Sequence, residues 1–199
     1  IHLFHSGGYV MYPLLLLSFM VIAIAVERAF FYHKYSGKTF VVTHAVNELA
    51  KLQNWAEIDK VIKDNPSIAS RIAEAGLNNA SSEESMKTAF ADQMGVDAVG
   101  FRKYMDYLSA TVTISPLLGL LGTVTGMIGS FSIFNLQEGQ PMAITGGIGE
   151  ALIATASGLC VAILALCAHS YFAQRLDTSI TNMEQCFSAL LEAESRGDI

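Results

Sequence analysis

From Tyr104 through Ala173 the chain has no lysine and no arginine, and the only carboxylates there are Asp106, Glu138 and Glu150. Two apolar runs inside this region are long enough to cross a hydrocarbon core of about 30 Å. A third run lies near the start: YVMYPLLLLSFMVIAIAV gives 18 uncharged residues before Glu27 and Arg28. Segments of this kind can cross a bilayer only as helices that satisfy their own backbone hydrogen bonds. The fold class that follows is an all-α membrane protein with three transmembrane helices, whose long helices extend into a cytosolic helical segment.

Charged residues make up 15% of the 199-residue chain, against about 25% in an average soluble domain. The charges crowd into the middle of the chain and its C-terminal part. No basic patch stands out, which argues against nucleic acid as a partner. Cys160, Cys167 and Cys186 show no CxxC or Cys/His spacing, so neither a zinc site nor a disulfide framework is implied. Nothing in the sequence calls for a cofactor. No nucleophile–base set and no phosphate-binding loop is present, and an enzyme is not expected.

Span one runs from Tyr9 to about Tyr32, after a short N-terminal segment, 1–8. It lacks a basic flank and a small-residue cleavage site, and it is too long for a signal-peptide core, so it reads as a retained span. Span two covers Ser109 to Asn135 and would extend about 40 Å as a helix. Span three covers Ile144 to Phe172. The short turn between them, 136–143, contains Gly139 and Pro141, so spans two and three form a hairpin. Arg28, nine basic residues in 34–108, Arg175 and Arg196 account for all twelve lysines and arginines. The positive-inside rule then places the N-terminus and the 136–143 turn outside the cytoplasm, with segment 33–108 and the tail 173–199 within it. The middle segment reads as amphipathic helices broken at Asn65-Pro66. Ser67 is a candidate N-cap, and another helix begins at Ser81–Ser82. No strong breaker follows before Pro116, so this last helix is expected to continue unbroken into span two.

Span two carries Ser115, Gly119, Gly122, Gly126 and Gly129 at steps of four, three, four and three. Span three carries Gly147, Ala151, Ala154 and Gly158, continued by Ala162 and Ala165. In lipid, helices gain no hydrophobic drive from meeting each other, and small residues that allow close backbone approach do that work. The two stripes are expected to pack helices tightly, within the chain and against neighbouring subunits.

Glu150 lies beside the second stripe. A carboxylate at mid-membrane costs about 2.5 kcal/mol or more, and groups kept there usually line an ion path, a proton relay or a polar cavity. No lysine or arginine in the hairpin can pair with it. Two readings fit the residue: a group that takes up and releases protons, or a group in a polar crevice near the outer surface, since it lies about 9 Å along span three. Thr123 and Thr155 are hydroxyls at similar depth on antiparallel neighbours and could face a common channel. Each could equally bond its own i−4 carbonyl. Thr111, Thr113, Thr125 and Ser130 are read that second way.

PLLGLLGTVTGMIGSF followed by GGIGEALIATASGL resembles the MotA/TolQ/ExbB proton-channel family, at both blocks and in their spacing. The three-span layout with a large cytosolic segment is similar to the ExbB and TolQ branch. The resemblance implies a homopentamer in the bacterial inner membrane, surrounding membrane helices of an ExbD- or TolR-like single-span partner that carries an aspartate. It also implies a TonB- or TolA-like protein further along the chain of work. On the matching positions, Glu150 falls on the family's pore glutamate, and Thr123 and Thr155 on its polar pore threonines. The function so implied is an ExbB-like proton-channel subunit of a motor that couples the proton motive force to outer-membrane transport. The alternatives are a TolQ-like role in envelope maintenance and a membrane scaffold that does not conduct.

Overall fold

A computed structural model describes residues 8–52, 54–65, 67–78, 82–136 and 141–195. Among them every regular element is a helix: α1 (Met11–Lys51), α2 (Trp55–Asp64), α3 (Ile68–Asn78), α4 (Glu83–Arg102), α5 (Met105–Leu136) and α6 (Pro141–Ser195). Three helical stretches are long and apolar enough to cross a membrane, and they begin at Met11, Glu83 and Thr145. The fold is the all-α membrane architecture that the sequence implies. The expected turn between spans two and three lies largely outside the described residues, at 137–140, as does Pro66 of the Asn65-Pro66 break. Pro141 takes the first position of α6, where its missing N–H costs nothing.

The chain divides into two compact units. Ile1–Val26 and Tyr104–Tyr171 form the first, and Glu27–Lys103 and Phe172–Ile199 form the second. In the first, α5 and α6 pack as an antiparallel pair through their small residues. The start of α1 joins them, with Leu14 buried and Val10, just ahead of the helix, lying against Gly122. Large apolar side chains point outward, among them Leu117, Leu120, Ile128, Leu152 and Ile163. That is the surface expected of helices whose solvent is lipid or another membrane helix.

The second unit is built as a water-soluble domain is. Val42, Val46 and Ala50 from α1, Ile58 and Ile62 from α2, Ala69 and Ala73 from α3, and Cys186 and Leu190 from α6 form one buried cluster. Fully burying a valine, leucine or isoleucine side chain is worth about 1.5–3 kcal/mol. Phe90 stacks on Phe187 with ring centroids 3.8 Å apart. Local signals set the helix starts. Asn54 caps α2 by accepting from the Glu57 amide at 3.3 Å. Ser67 Oγ accepts from the Ser70 amide at 3.1 Å, just before α3, and Ser82 Oγ accepts from the Ser85 amide at 3.1 Å at the start of α4. Each cap satisfies an N–H that the first turn leaves without a helical partner. Asp97, buried on α4, pairs with Arg71 and accepts from Gln93 Nε2 at 3.1 Å.

One expectation is corrected. The helix that starts at Ser82 does not run unbroken into span two. It ends at Arg102, and α5 begins at Met105. Tyr104, between them, has φ +67°, a left-handed conformation that is costly for a residue with a β-carbon. No proline marks the place, and the residue in the left-handed position is not a glycine. The cause is tertiary: Arg28 Nη1 donates to the Gly100 carbonyl at 2.9 Å, and Tyr32 Oη donates to the Phe101 carbonyl at 3.3 Å. In an unbroken helix those carbonyls would accept from the amides of residues 104 and 105. Side chains from α1 take that role, and α4 can stop. Arg28 is only 1% exposed. Its charge is met by Glu27, whose Oε2 lies 2.6 Å from Nε, and its guanidinium lies 4.6 Å from the Phe31 ring centroid. Tyr32 also stacks on Phe172 at 5.5 Å. Pro116 lies inside α5, which stays helical past it to Leu136.

Candidate functional site

The α5–α6 contact can be followed residue by residue. A β-carbon placed on Gly119 would lie 3.0 Å from Thr155 Cα, and one on Gly158 would lie 2.5 Å from the Ser115 carbonyl. One on Gly122 would lie 2.5 Å from Ala154 Cβ, and one on Gly126 would lie 3.1 Å from Ala151 Cβ. Gly147 meets the Ser130 side chain in the same way. Four members of the span-two stripe, Ser115, Gly119, Gly122 and Gly126, are thus used within the chain, against Gly147, Ala151, Ala154 and Gly158. Gly129 is different: a side chain there would meet nothing within 4 Å, and the residue is exposed.

The hydroxyls divide in an informative way. Thr155 Oγ1 does not bond its own helix. It donates across to the Gly119 carbonyl of α5 at 2.9 Å. Gly119 has no side chain to shield that oxygen, so the glycine stripe and the threonine make one contact. Thr123 Oγ1 donates within α5 to the Leu120 carbonyl at 2.6 Å, an i−3 bond. Thr111, Thr125 and Ser130 bond the carbonyls of Tyr107, Leu121 and Gly126, four residues back, which is the reading made for them. Ser115 does the same toward Thr111.

Glu150 is half-buried on α6 and opens onto a cleft of about 360 Å³. Three segments line it: Gly8, Tyr9 and Val10 ahead of α1; Gly122, Thr125, Gly126, Gly129 and Ser130 of α5; and Gly147 with Glu150 of α6. Neither Thr123 nor Thr155 is among them. The structure therefore brings Glu150 together with the glycine face and with Thr125 and Ser130, and sets the two pore-candidate threonines apart from it. The carboxyl stands at the level where α1 begins. That end of a helix carries the positive end of its dipole; the first amides of α1, those of Met11 and Tyr12, are themselves paired with the Gly8 and Tyr9 carbonyls at 3.1 and 3.3 Å.

Two participants had escaped the sequence reading. Gly8 adopts φ +68°, and its α-carbon is so close to the carboxyl that a β-carbon there would lie 2.6 Å from Glu150 Oε1. The signal for it was slight, a glycine placed just ahead of the first apolar run. Arg28 reads from sequence as an interface anchor, yet it is buried and holds the end of α4. Among the described residues no group of three or more His, Cys, Asp or Glu side chains could hold a metal ion.

With this arrangement in view, comparison with known proteins is decisive. The sequence profile of the MotA/TolQ/ExbB proton channel family matches residues 64–185, more than half of the chain. The chain belongs to this family. The match takes in both arms of the hairpin, with Glu150 and the two small-residue stripes, and helices α3 and α4 of the second unit. Among the relatives, the putative biopolymer transport protein ExbB-like 1 of Synechocystis is 35% identical over 172 residues, covering 82% of this chain and 66% of the relative. ExbB-like 3 of the same organism is 30% identical over 165 residues, covering 81% and 79%. The Tol-Pal system protein TolQ of Pseudomonas aeruginosa is 39% identical over 77 residues, covering 38% and 33%. The chain thus spans about two thirds of the length of the first of these relatives.

Proposed function

We propose that this family member is an ExbB-like proton-channel subunit of a bacterial inner-membrane motor. It would span the membrane three times, with its N-terminus outside and its soluble unit in the cytoplasm. The observation that carries the reading is Glu150: an acidic side chain in a membrane hairpin free of basic residues, opening onto a cleft that protons or a companion helix can reach. The carboxyl provides a site that binds and releases a proton, and Thr125 and Ser130 add polar groups to the same cleft. Thr155 contributes to the path by tying α6 to the Gly119 carbonyl of α5, and Thr123, whose hydroxyl donates to the Leu120 carbonyl within α5, contributes a polar group on the same helix.

The assembly proposed is a homo-oligomer, a pentamer by resemblance, around an ExbD- or TolR-like single-span partner. Gly129, open and exposed beside the cleft, is a place where another membrane helix can approach closely. A TonB- or TolA-like protein would receive the work. Each charge that crosses yields about 2.3 kcal/mol per 100 mV. The ExbB-like role is favoured over the TolQ-like one because the relatives matched along most of this chain carry ExbB-like descriptions, whereas the TolQ match covers 38% of it.

The test is Glu150→Gln in the chain co-purified with its partner and reconstituted in liposomes. The assembly, weighed intact, is expected to keep its mass while proton uptake driven by a potassium-diffusion potential is lost. Uptake at the wild-type rate would leave a scaffold as the better description.

A further inference from the structure

We propose that Gly8 is a positioning residue for Glu150: the left-handed turn ahead of α1 is the seat on which the carboxyl rests, and it sets how far that carboxyl reaches into the cleft. The inference rests on the reading of Glu150 as the proton-binding group, and it adds a part of the chain that lies outside both hairpin helices.

Three observations meet at this point. Gly8 takes φ +68°, a conformation that glycine adopts without the steric penalty other residues incur. Its carbonyl accepts from the Met11 amide at 3.1 Å, so the turn is tied into the first turn of α1 and its position is set by that helix. The space a side chain would need at Gly8 is filled by Glu150: a β-carbon would lie 2.6 Å from Oε1, 3.6 Å from Cδ and 3.9 Å from Cγ. The three distances lengthen toward the backbone of α6, so the tip of the carboxyl is what abuts the turn. Two separate requirements, one of backbone and one of space, thus fall on one residue.

The wall opposite is small as well. Gly122, Gly126 and Gly147 line the same cleft, and each is held by close contact between α5 and α6. The hairpin wall cannot yield to a displaced carboxyl without parting the helices. A side chain at position 8 therefore drives the carboxyl toward the open mouth of the cleft, away from the α1 terminus.

The test reads the reactivity of the carboxyl directly. Labelling by a hydrophobic carbodiimide, followed by mass spectrometry in membranes holding the full complex, gives the rate at position 150. Gly8→Ala should raise that rate about threefold or more, the range of coupling seen between residues in contact. Gly8→Asn carries the same β-carbon on a residue that tolerates positive φ. It should give the same increase, which separates displacement of the carboxyl from backbone strain or poor folding. In a Glu150→Asp background the side chain is one methylene shorter and no longer reaches the turn, so Gly8→Ala should leave labelling unchanged. An unchanged rate in the first two variants, or an equal increase in both backgrounds, would overturn the proposal. Proton uptake, measured in parallel, keeps the two readings apart. If Glu150→Gln conducts normally while the labelling pattern holds, the channel reading fails and the seat stands.

Discussion

The two units of this chain are held together by opposite means. In the second unit large side chains form the core: Ile58, Ile62, Val42, Val46 and Leu190 are buried together with Ala50, Ala69, Ala73 and Cys186. In the membrane unit large side chains such as Leu117, Leu120 and Leu152 point outward, and the close contact of α5 with α6 is made by Gly119, Gly122, Gly126, Gly147, Ala151, Ala154 and Gly158. The difference is the one that two solvents would impose. Water rewards the burial of apolar area, whereas lipid is as apolar as leucine, so helices in it gain only from close approach and from hydrogen bonds made across the gap. Helices α1 and α6 each pass from one regime to the other, and their packing residues change character along their length.

This contrast makes opposite changes harmful, a loss of volume in one unit and a gain of volume in the other. The largest effect is expected from Ile58→Ala in the second unit, where a fully buried side chain leaves a cavity. About 2–5 kcal/mol of stability should be lost, visible as faster proteolysis of α2 and α3. A change of less than about 0.5 kcal/mol would mean that this unit is not held by its core. Next is Gly158→Ala, which adds a single methyl where the Ser115 carbonyl lies. Overpacking there should cost about 1–3 kcal/mol, read as a lower melting temperature of the detergent-solubilised complex. If it stabilised the complex, the close contact of α5 with α6 would be refuted. The smallest is Thr155→Val, which keeps the shape and removes the bond to the Gly119 carbonyl. Interhelical bonds of this kind in membranes average about 0.6 kcal/mol and reach about 1.7, so a loss of that size in the same melting assay would confirm the cross-helix bond, and no change would indicate that Thr155 turns back on its own helix.

Much of the framework can be read from the order of residues because its causes are local. Uncharged runs of sufficient length specify the spans, and Ser67 and Ser82 mark helix starts by their chemistry alone. The step pattern of Gly119, Gly122 and Gly126 specifies one face of a helix, and the structure uses that face. What could not be read depends on how deep one helix sits beside another. The meeting of Gly8 with Glu150 requires the start of α1 to align with a particular turn of α6, and neither segment encodes that alignment alone. The bond from Thr155 to Gly119 has the same origin: both residues stood out in the sequence, the first as a pore candidate and the second as a packing residue, but their pairing is a fact of register. The stop at Arg102 was missed because the groups that satisfy its last carbonyls come from Arg28 and Tyr32, far back along the chain.

That stop has a meaning for anyone who edits this protein. A helix end set by proline or glycine travels with its own stretch of sequence and survives transplantation. The break at Tyr104 does not: the groups that take up the last carbonyls of α4 reside in α1, so a fragment or chimera that takes residues 83–136 without their native Arg28 and Tyr32 inherits the letters of the break and loses its cause.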